Sequence, residues 1–273
     1  MSITVLNNVS SLVAENAVSN TQANLQNTLT QLSTGLKINS GADDPAGLSI
    51  AEGLGANIAA LTQSSQNASD GVGLLQTADG ALSQVTTLLN QAVTIATEAA
   101  NGGLTTDQAT AADTEFQSIL SEITQIGSTT NFNGTAVFSA TPQTVFTSDG
   151  TAAGATTTST TTGVLSSTSL GLNADALTST AKAATALTDI TAAIATVAAT
   201  RGTIGASINQ LTADTNVENT EVQNLTSAQN GVQNADIAKV TSNLSQYNVL
   251  EQTGFAALQQ SQQASQNVLK LLQ

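Results

Sequence analysis

Leu54, Leu61, Ala68, Leu75, Leu82, Leu89 and Ala96 stand seven residues apart without a break, with Ile58, Val72 and Val93 on an adjoining seam. A second series runs through Leu187, Ile190, Ile194, Val197, Arg201, Ile204, Ile208 and Leu211 in alternating steps of three and four. It continues, more polar, through Thr215, Glu218, Val222, Leu225, Gln229 and Val232. A stripe with this period forms only on a helix, and one sustained this long specifies coiled-coil packing. At 1.5 Å per residue, about 50 residues make a helix roughly 75 Å long, longer than a globular core can cover. Composition points the same way, because aromatic residues are only 2% and charged residues 9% of the chain. Ala, Thr, Ser, Asn and Gln fill the balance, so burial has to come from many small contacts along long interfaces. The fold class expected is mainly α, with long antiparallel coiled-coil helices forming a rod and a small β-hairpin or loop tip.

The same residues exclude several classes of function. There is no Cys and no His, which removes disulfides, His-ligated zinc and a histidine general base. Five cations face nineteen acids, giving a net charge of -14, and no basic residue lies between Lys37 and Lys182. Phosphate-backbone binding needs clustered cations, so neither nucleic acid nor an anionic membrane surface is an expected partner. No uninterrupted run of about 20 apolar residues is present, so no membrane insertion is expected. The opening MSITVLNNVSSLVAEN has neither a basic start nor a continuous apolar stretch, and no cleaved secretory signal is expected.

Weaker amphipathic patterns flank the heptads. Val18, Leu25 and Leu32 are seven apart, with Leu29 and Leu36 alongside. Near the other end Ile237, Val240, Leu244, Tyr247, Leu258 and Val268 keep helical spacing, interrupted by Glu251, Gly254, Ser261 and Ser265. Seams so rich in Asn and Gln bury too little to order alone, which suggests that they order against a partner. Asp44 before Pro45 reads as a helix cap followed by proline at the first helical position, and Asn101-Gly102-Gly103 as that helix's end. Thr105 and Gln108 form a capping-box pattern for a third helix with Phe116, Ile119, Ile123 and Ile126 on one face. Thr135–Phe138 and Thr144–Phe146 are β-prone pieces around Pro142, expected to pair as a hairpin. The hydroxyl-rich residues 151–169 read as loop or short irregular strand without a packable face.

Nothing in the chain has the pattern of an active site. The adjacent acids Asp43 and Asp44 are explained by capping and by charge at a helix start. Gly53-x-Gly55 and Gly71-x-Gly73 lie inside heptad helices with no following Lys, so close helix packing explains them better than a phosphate loop. Arg201 sits on the seam and reads equally as a snorkelling side chain or as the partner of an acid on a facing helix. No cofactor is expected.

With these features in view, the segment Gln31-Leu-Ser-Thr-Gly-Leu-Lys-Ile-Asn-Ser-Gly-Ala-Asp-Asp-Pro-Ala-Gly-Leu-Ser-Ile50 resembles the most recognisable motif of the bacterial flagellins. Asn131-Phe-Asn-Gly134 resembles that family's turn before its first β-hairpin. Arg201-Gly-Thr-Ile-Gly-Ala206 with Asn209, Asn234-Ala-Asp-Ile237 and Asn267-Val-Leu-Lys-Leu-Leu-Gln273 resemble its C-terminal half. The resemblance implies an extracellular, non-enzymatic subunit of the flagellar filament. It implies an inner terminal-helix domain of residues 1–43 and 234–273, a helical rod domain of 44–138 and 177–233, and a short variable stub at 139–176. It also implies partners: further copies of the chain, hook–filament junction and cap proteins, the flagellar type III export apparatus, and a secretion chaperone on the C-terminal helix. Val18, Leu25, Leu29, Leu32, Leu36, Val240, Leu244, Tyr247, Leu258 and Val268 would be the assembly seams.

Departures from the family pattern carry expectations of their own. In the region that the innate receptor for flagellins reads, Gln91 replaces the usual arginine and Thr94 the usual glutamate, while Ile95 and Glu115 fit. Weak receptor activation is therefore expected. Basic residues usual before the C-terminal signature are replaced by Gln229 and Gln233. The alternatives are a hook–filament junction protein of the same superfamily and a secreted, non-polymeric coiled-coil protein.

Overall fold

The structure is a computed structural model that describes residues 8–151 and 156–271, with side chains described to residue 267. The elements are α1 (Val9–Thr34), α2 (Pro45–Ala100), α3 (Thr106–Thr129), β1 (Asn131–Phe132), β2 (Thr135–Ala136), β3 (Gln143–Thr147), β4 (Thr156–Thr160), α4 (Thr180–Gln233) and α5 (Ile237–Leu271). They fall into two compact units, one of residues 1–55 with 225–273 and one of residues 56–224. The fold is mainly helical, with antiparallel helices and two small hairpins.

In the 56–224 unit, α2 presents two strict heptad rows. Leu61, Ala68, Leu75, Leu82, Leu89 and Ala96 are all buried, and so are Ser64, Gly71, Ala78, Val85, Ala92 and Ala99 three residues further on. The second row differs from expectation: Ile58, Val72 and Val93 are only half-buried, and small residues occupy all the inner positions but one, Val85. Small residues let the facing backbone approach, whereas β-branched ones would hold it off. On α4 the buried row is Ala183, Ile190, Val197, Ile204, Leu211 and Glu218, again seven apart, with Ala186 and Ala193 beside it. Ile194 and Ile208 pack half-buried against the same core, as does Leu187.

Contacts between α2 and α4 link Ser64 to Glu218 and Asp79 to Arg201, and bring Gly71 up against Leu211. As one position rises the other falls, so the helices run antiparallel. Phe116, Ile119, Leu120 and Ile123 of α3 complete the core with Val137, Phe138, Leu165, Leu172 and Leu177. Thr105 closes the capping box expected for α3: its backbone N–H donates to the Gln108 side chain at 2.8 Å, and its hydroxyl accepts from the Gln108 backbone N–H at 3.4 Å.

The strands differ from the pairing expected. β2 pairs with β1 around Asn133-Gly134, not with the segment after Pro142. Both turn residues have positive φ, 50° and 79°, the two-residue hairpin geometry in which Asn-Gly is favoured. β3 pairs with β4, in register from Gln143↔Thr160 to Thr147↔Thr156. The threonine tract is therefore in part a regular strand, with Thr158 and Thr160 buried. β-branched threonine suits a pleated surface, and its methyl packs while its hydroxyl bonds.

Among the described residues α4 is the one helix long and apolar enough to cross a membrane, with a stretch of mean hydropathy 1.4. The value comes from closely spaced alanines among threonines, and the seam through Ala183, Ala186, Ile190, Ala193 and Val197 is buried in the unit's core.

Candidate functional site

The motif Gln31–Ile50 folds into a junction in the unit formed by residues 1–55 and 225–273. α1 ends where Gly35, at φ 73°, takes the left-handed conformation and its N–H donates to the Gln31 carbonyl at 2.9 Å. Glycine adopts this conformation without strain from a Cβ. The next residues then meet the end of α4 through main chain alone. The Lys37 N–H donates to the Gln233 carbonyl at 2.7 Å and the Ala235 N–H to the Gly35 carbonyl at 2.9 Å, while Leu36 and Asn234 form an isolated antiparallel bridge. Ile38, two residues on from Leu36, is buried, and Gly47 makes room for it: a Cβ there would lie 2.6 Å from Ile38 Cδ1.

The two acids have separate structural tasks. Asp43 Oδ2 accepts from the backbone N–H groups of Asn39 and Ser40 at 3.0 and 2.8 Å, and these bonds hold its carboxyl below the usual value. Asp44 Oδ1 accepts from the Gly47 N–H at 2.9 Å, capping α2, whose first helical residue is Pro45. Gln229 donates to the Ala51 carbonyl at 3.1 Å, closing α2 against the end of α4.

α1 and α5 pair antiparallel along a seam that mixes aliphatic with polar and small residues. On α1 the half-buried or buried positions are Ser11, Ala14, Val18, Thr21, Leu25, Thr28, Gln31 and Leu32, and on α5 they are Val240, Asn243, Leu244, Tyr247, Glu251, Gly254, Leu258, Ser261 and Ser265. The residues that interrupt the apolar pattern of α5 are thus contact points. A Cβ on Gly254 would lie 2.7 Å from Val18 Cγ2, Glu251 accepts from Gln22, and the side chains of Ser261 and Ser265 accept from Asn8. A plot of hydropathy misses them because glycine and serine score poorly while packing closely. Val268 lies beyond the described side chains.

Leu29 does not face this seam; it is exposed, and it joins Val9, Leu12 and Val13 on α1 and Val249, Leu250 and Phe255 on α5, all 42% to 63% accessible. Leu36 is half-buried at the junction bridge. The terminal pair therefore fills its own seam with aliphatic, polar and small residues and leaves further apolar side chains outside it.

In the other unit Arg201 grips Asp79 with two bonds, Nε to Oδ1 at 2.7 Å and a second guanidinium nitrogen to Oδ2 at 3.2 Å. The pair raises the guanidinium's pKa and lowers the carboxyl's, and with the side chains 36% and 40% exposed it contributes at most about 1 kcal/mol. Gln91 donates to Glu115 at 3.2 Å on the exposed faces of α2 and α3; Thr94 is exposed beside it and Ile95 is buried. Leu54 is half-buried at the edge of the first unit. A cleft of about 370 Å³ between α2 and the hairpins is lined by Asn67, Asp70, Leu74, Phe132, Thr144 and Phe146 and carries a single acid. No group of three or more metal-ligating side chains converges among the described residues.

Residues 5–143 match the family model described as bacterial flagellin N-terminal helical region, and residues 187–272 match bacterial flagellin C-terminal helical region. A flagellin of Halalkalibacterium halodurans is 34% identical over 265 residues, 96% of this chain and 97% of that protein. A flagellin of Serratia marcescens is 41% identical over 129 residues, 47% of this chain, and the match spans only 37% of that longer protein. A crystal structure of Bacillus cereus flagellin aligns with a TM-score of 0.49 at 28% identity, covering 56% of this chain and 88% of that one.

Proposed function

The chain belongs to the bacterial flagellin family, and on that premise we propose that it is a structural, extracellular subunit polymerising into the flagellar filament for motility. The observation that carries the reading is the apolar set Val9, Leu12, Val13, Leu29, Val249, Leu250 and Phe255, left exposed by helices whose own seam is already occupied. Covering such half-exposed side chains is worth about 1 kcal/mol apiece, so repeated copies supply the drive for assembly once the ordering cost is met. A head-to-tail contact of this kind, repeated without closure, generates an open helical polymer. Folding of the terminal segments coupled to docking restricts growth to existing ends.

Residues 1–43 and 234–273 act as the inner assembly domain in this reading, 44–138 and 177–233 as the helical rod domain, and 139–176 as a short outer stub. The finer partners follow the family: hook–filament junction and cap proteins at the filament's ends, the type III export apparatus, and a secretion chaperone on α5. Gln91 and Thr94 leave the innate-receptor region without its usual charges, and a reporter-cell assay reading full potency would refute weak activation. With net charge -14 per subunit, moderate salt speeds polymerisation by screening repulsion; elongation that slows steadily with added salt contradicts this.

The test is seeded polymerisation followed by electron microscopy. Long uniform tubes that disappear on deleting residues 234–273 are expected. Short rings alone would point to a junction adaptor, and persistent monomers to a non-polymeric coiled-coil protein.

A further inference from the structure

Glu218 stands where the α4 row Ile190, Val197, Ile204, Leu211 calls for another aliphatic residue, and it is only 8% exposed. Its Oε1 accepts a hydrogen bond from the Ser64 hydroxyl, itself buried in the facing row of α2. Ser64 Oγ in turn accepts from the Ser148 backbone N–H at 3.0 Å, so a single hydroxyl joins the acid to the turn that follows β3. Two neighbouring contacts keep the hairpin on α2: Asn67 donates to the Phe146 carbonyl at 3.1 Å, and Gly150 lies against Ala60. The other carboxyl oxygen, Oε2, is buried with no hydrogen-bond partner.

An ionised carboxylate in this position has one donor and no countercharge. Asp214 and Glu221 flank it on α4 and both oppose its ionisation, Asp70 lies on α2 one turn and a half beyond Ser64, and the hairpin brings Asp149. The only cations of the 56–224 unit are Lys182 and Arg201. Arg201 is held by Asp79 and lies about 25 Å up α4 at 1.5 Å per residue, with Lys182 further still. Burial is the leading cause that raises the Glu218 pKa; the Ser64 bond works against it, the two acids add to it, and the net shift is upward.

We propose that Glu218, Ser64 and the segment 148–150 after β3 form a proton-operated latch, closed over the α2–α4 seam when Glu218 is neutral and loosened when it ionises. The neutral acid satisfies the bond to Ser64 and leaves no buried charge. The anion draws water toward Oε2. The cover that yields is the segment 148–150, which is held over Ser64 by the Ser148 N–H, rather than either long helix. The sign follows from linkage: an acid whose folded pKa is raised favours the closed state below its ordinary value of 4.5, and that contribution is lost as pH rises through the raised value.

Residue-resolved hydrogen exchange on the full-length monomer, corrected for intrinsic rates, tests this. Protection of the Ser148 amide should fall as pH rises above 4.5, by about tenfold for each unit by which the folded pKa exceeds that value. Amides of the central α2 turns should not follow. Glu218→Gln keeps the shape without the charge and should give flat, high protection. The Glu218 carboxyl carbon shift of the unaltered chain supplies a second reading. A midpoint at or below 4.5, or Ser148 protection with the same pH profile in both proteins, overturns the latch.

Discussion

Gly127 lies in the last turn of α3 and is buried against the segment that follows β4. A Cβ built there would stand 1.9 Å from the Leu165 carbonyl oxygen, 2.8 Å from its carbonyl carbon and 3.0 Å from its Cβ. Ordinary contact begins near 3.4 Å, so Gly127→Ala requires that carbonyl to retreat by about 1.5 Å, a displacement in the range of costly overpacking. The retreat also pulls on the neighbouring Ser167 N–H, which donates to Thr124 at 3.1 Å. Overpacking of about 1–3 kcal/mol plus about 1 kcal/mol for the lost bond outweighs a helix-propensity gain of at most about 1 kcal/mol. The expected net loss is about 1–3 kcal/mol. Gly80→Ala, on α2 with nothing within 4 Å of its would-be Cβ, isolates the propensity term and should gain about 0.5–1 kcal/mol. The two variants should therefore melt on opposite sides of the unaltered monomer, separated by about 5–15 °C in circular dichroism. Gly127→Ala melting at or above the unaltered protein would refute the reasoning, and so would Gly80→Ala melting below it.

Other substitutions probe different parts of the molecule. Leu89→Ala, at a fully buried heptad position, should cost about 2–5 kcal/mol in urea unfolding, since the rigid rows on either side cannot collapse into the gap. Gly254→Val should clash with Val18 and abolish seeded elongation, while the melting of the 56–224 unit stays unchanged. Asp175 has a buried, unpartnered Oδ2, and burial followed by the nearby Asp189 raises its pKa. Its contribution is thus present below 3.8 and lost as pH rises through the raised value, so Asp175→Asn should raise the melting temperature at pH 7 and flatten its fall between pH 4 and 7. Asp79 has the opposite sign, because its lowered pKa makes its contribution vanish as pH falls below 3.8. Arg201→Gln should remove that acid-side slope at a loss of no more than about 1 kcal/mol.

The period-seven rows of large aliphatic residues were legible because Leu and Ile announce burial wherever they recur. The second row of α2 was not, because Ser64, Gly71, Ala78 and Ala92 carry almost no hydropathy signal although the facing helix depends on their smallness. The same blindness hid the small and polar half of the α1–α5 seam, where Gly254 and Ser261 read as interruptions and are contacts, while Val18, Leu25, Val240 and Leu244 were legible. The Arg201 guanidinium had two equal readings until Asp79 appeared opposite, since antiparallel register is a tertiary property. Strand β4 was obscured by composition: five consecutive hydroxyl residues resemble a linker until β3 supplies their partners. Asp44 and Pro45 were readable because a cap is local chemistry, needing nothing beyond the next three residues.

The bridge between Gly35–Lys37 and Gln233–Ala235 consists of main-chain atoms alone. Apart from Gly35, whose left-handed backbone favours glycine, side chains there can therefore drift without loosening it, and an ordinary mutational scan would find Lys37 and Ala235 permissive. Proline is the exception, because it deletes the donor itself. A selection for lost assembly should accordingly return proline at these two sites and almost nothing else there, a genetic signature of a joint written in backbone rather than in residue identity.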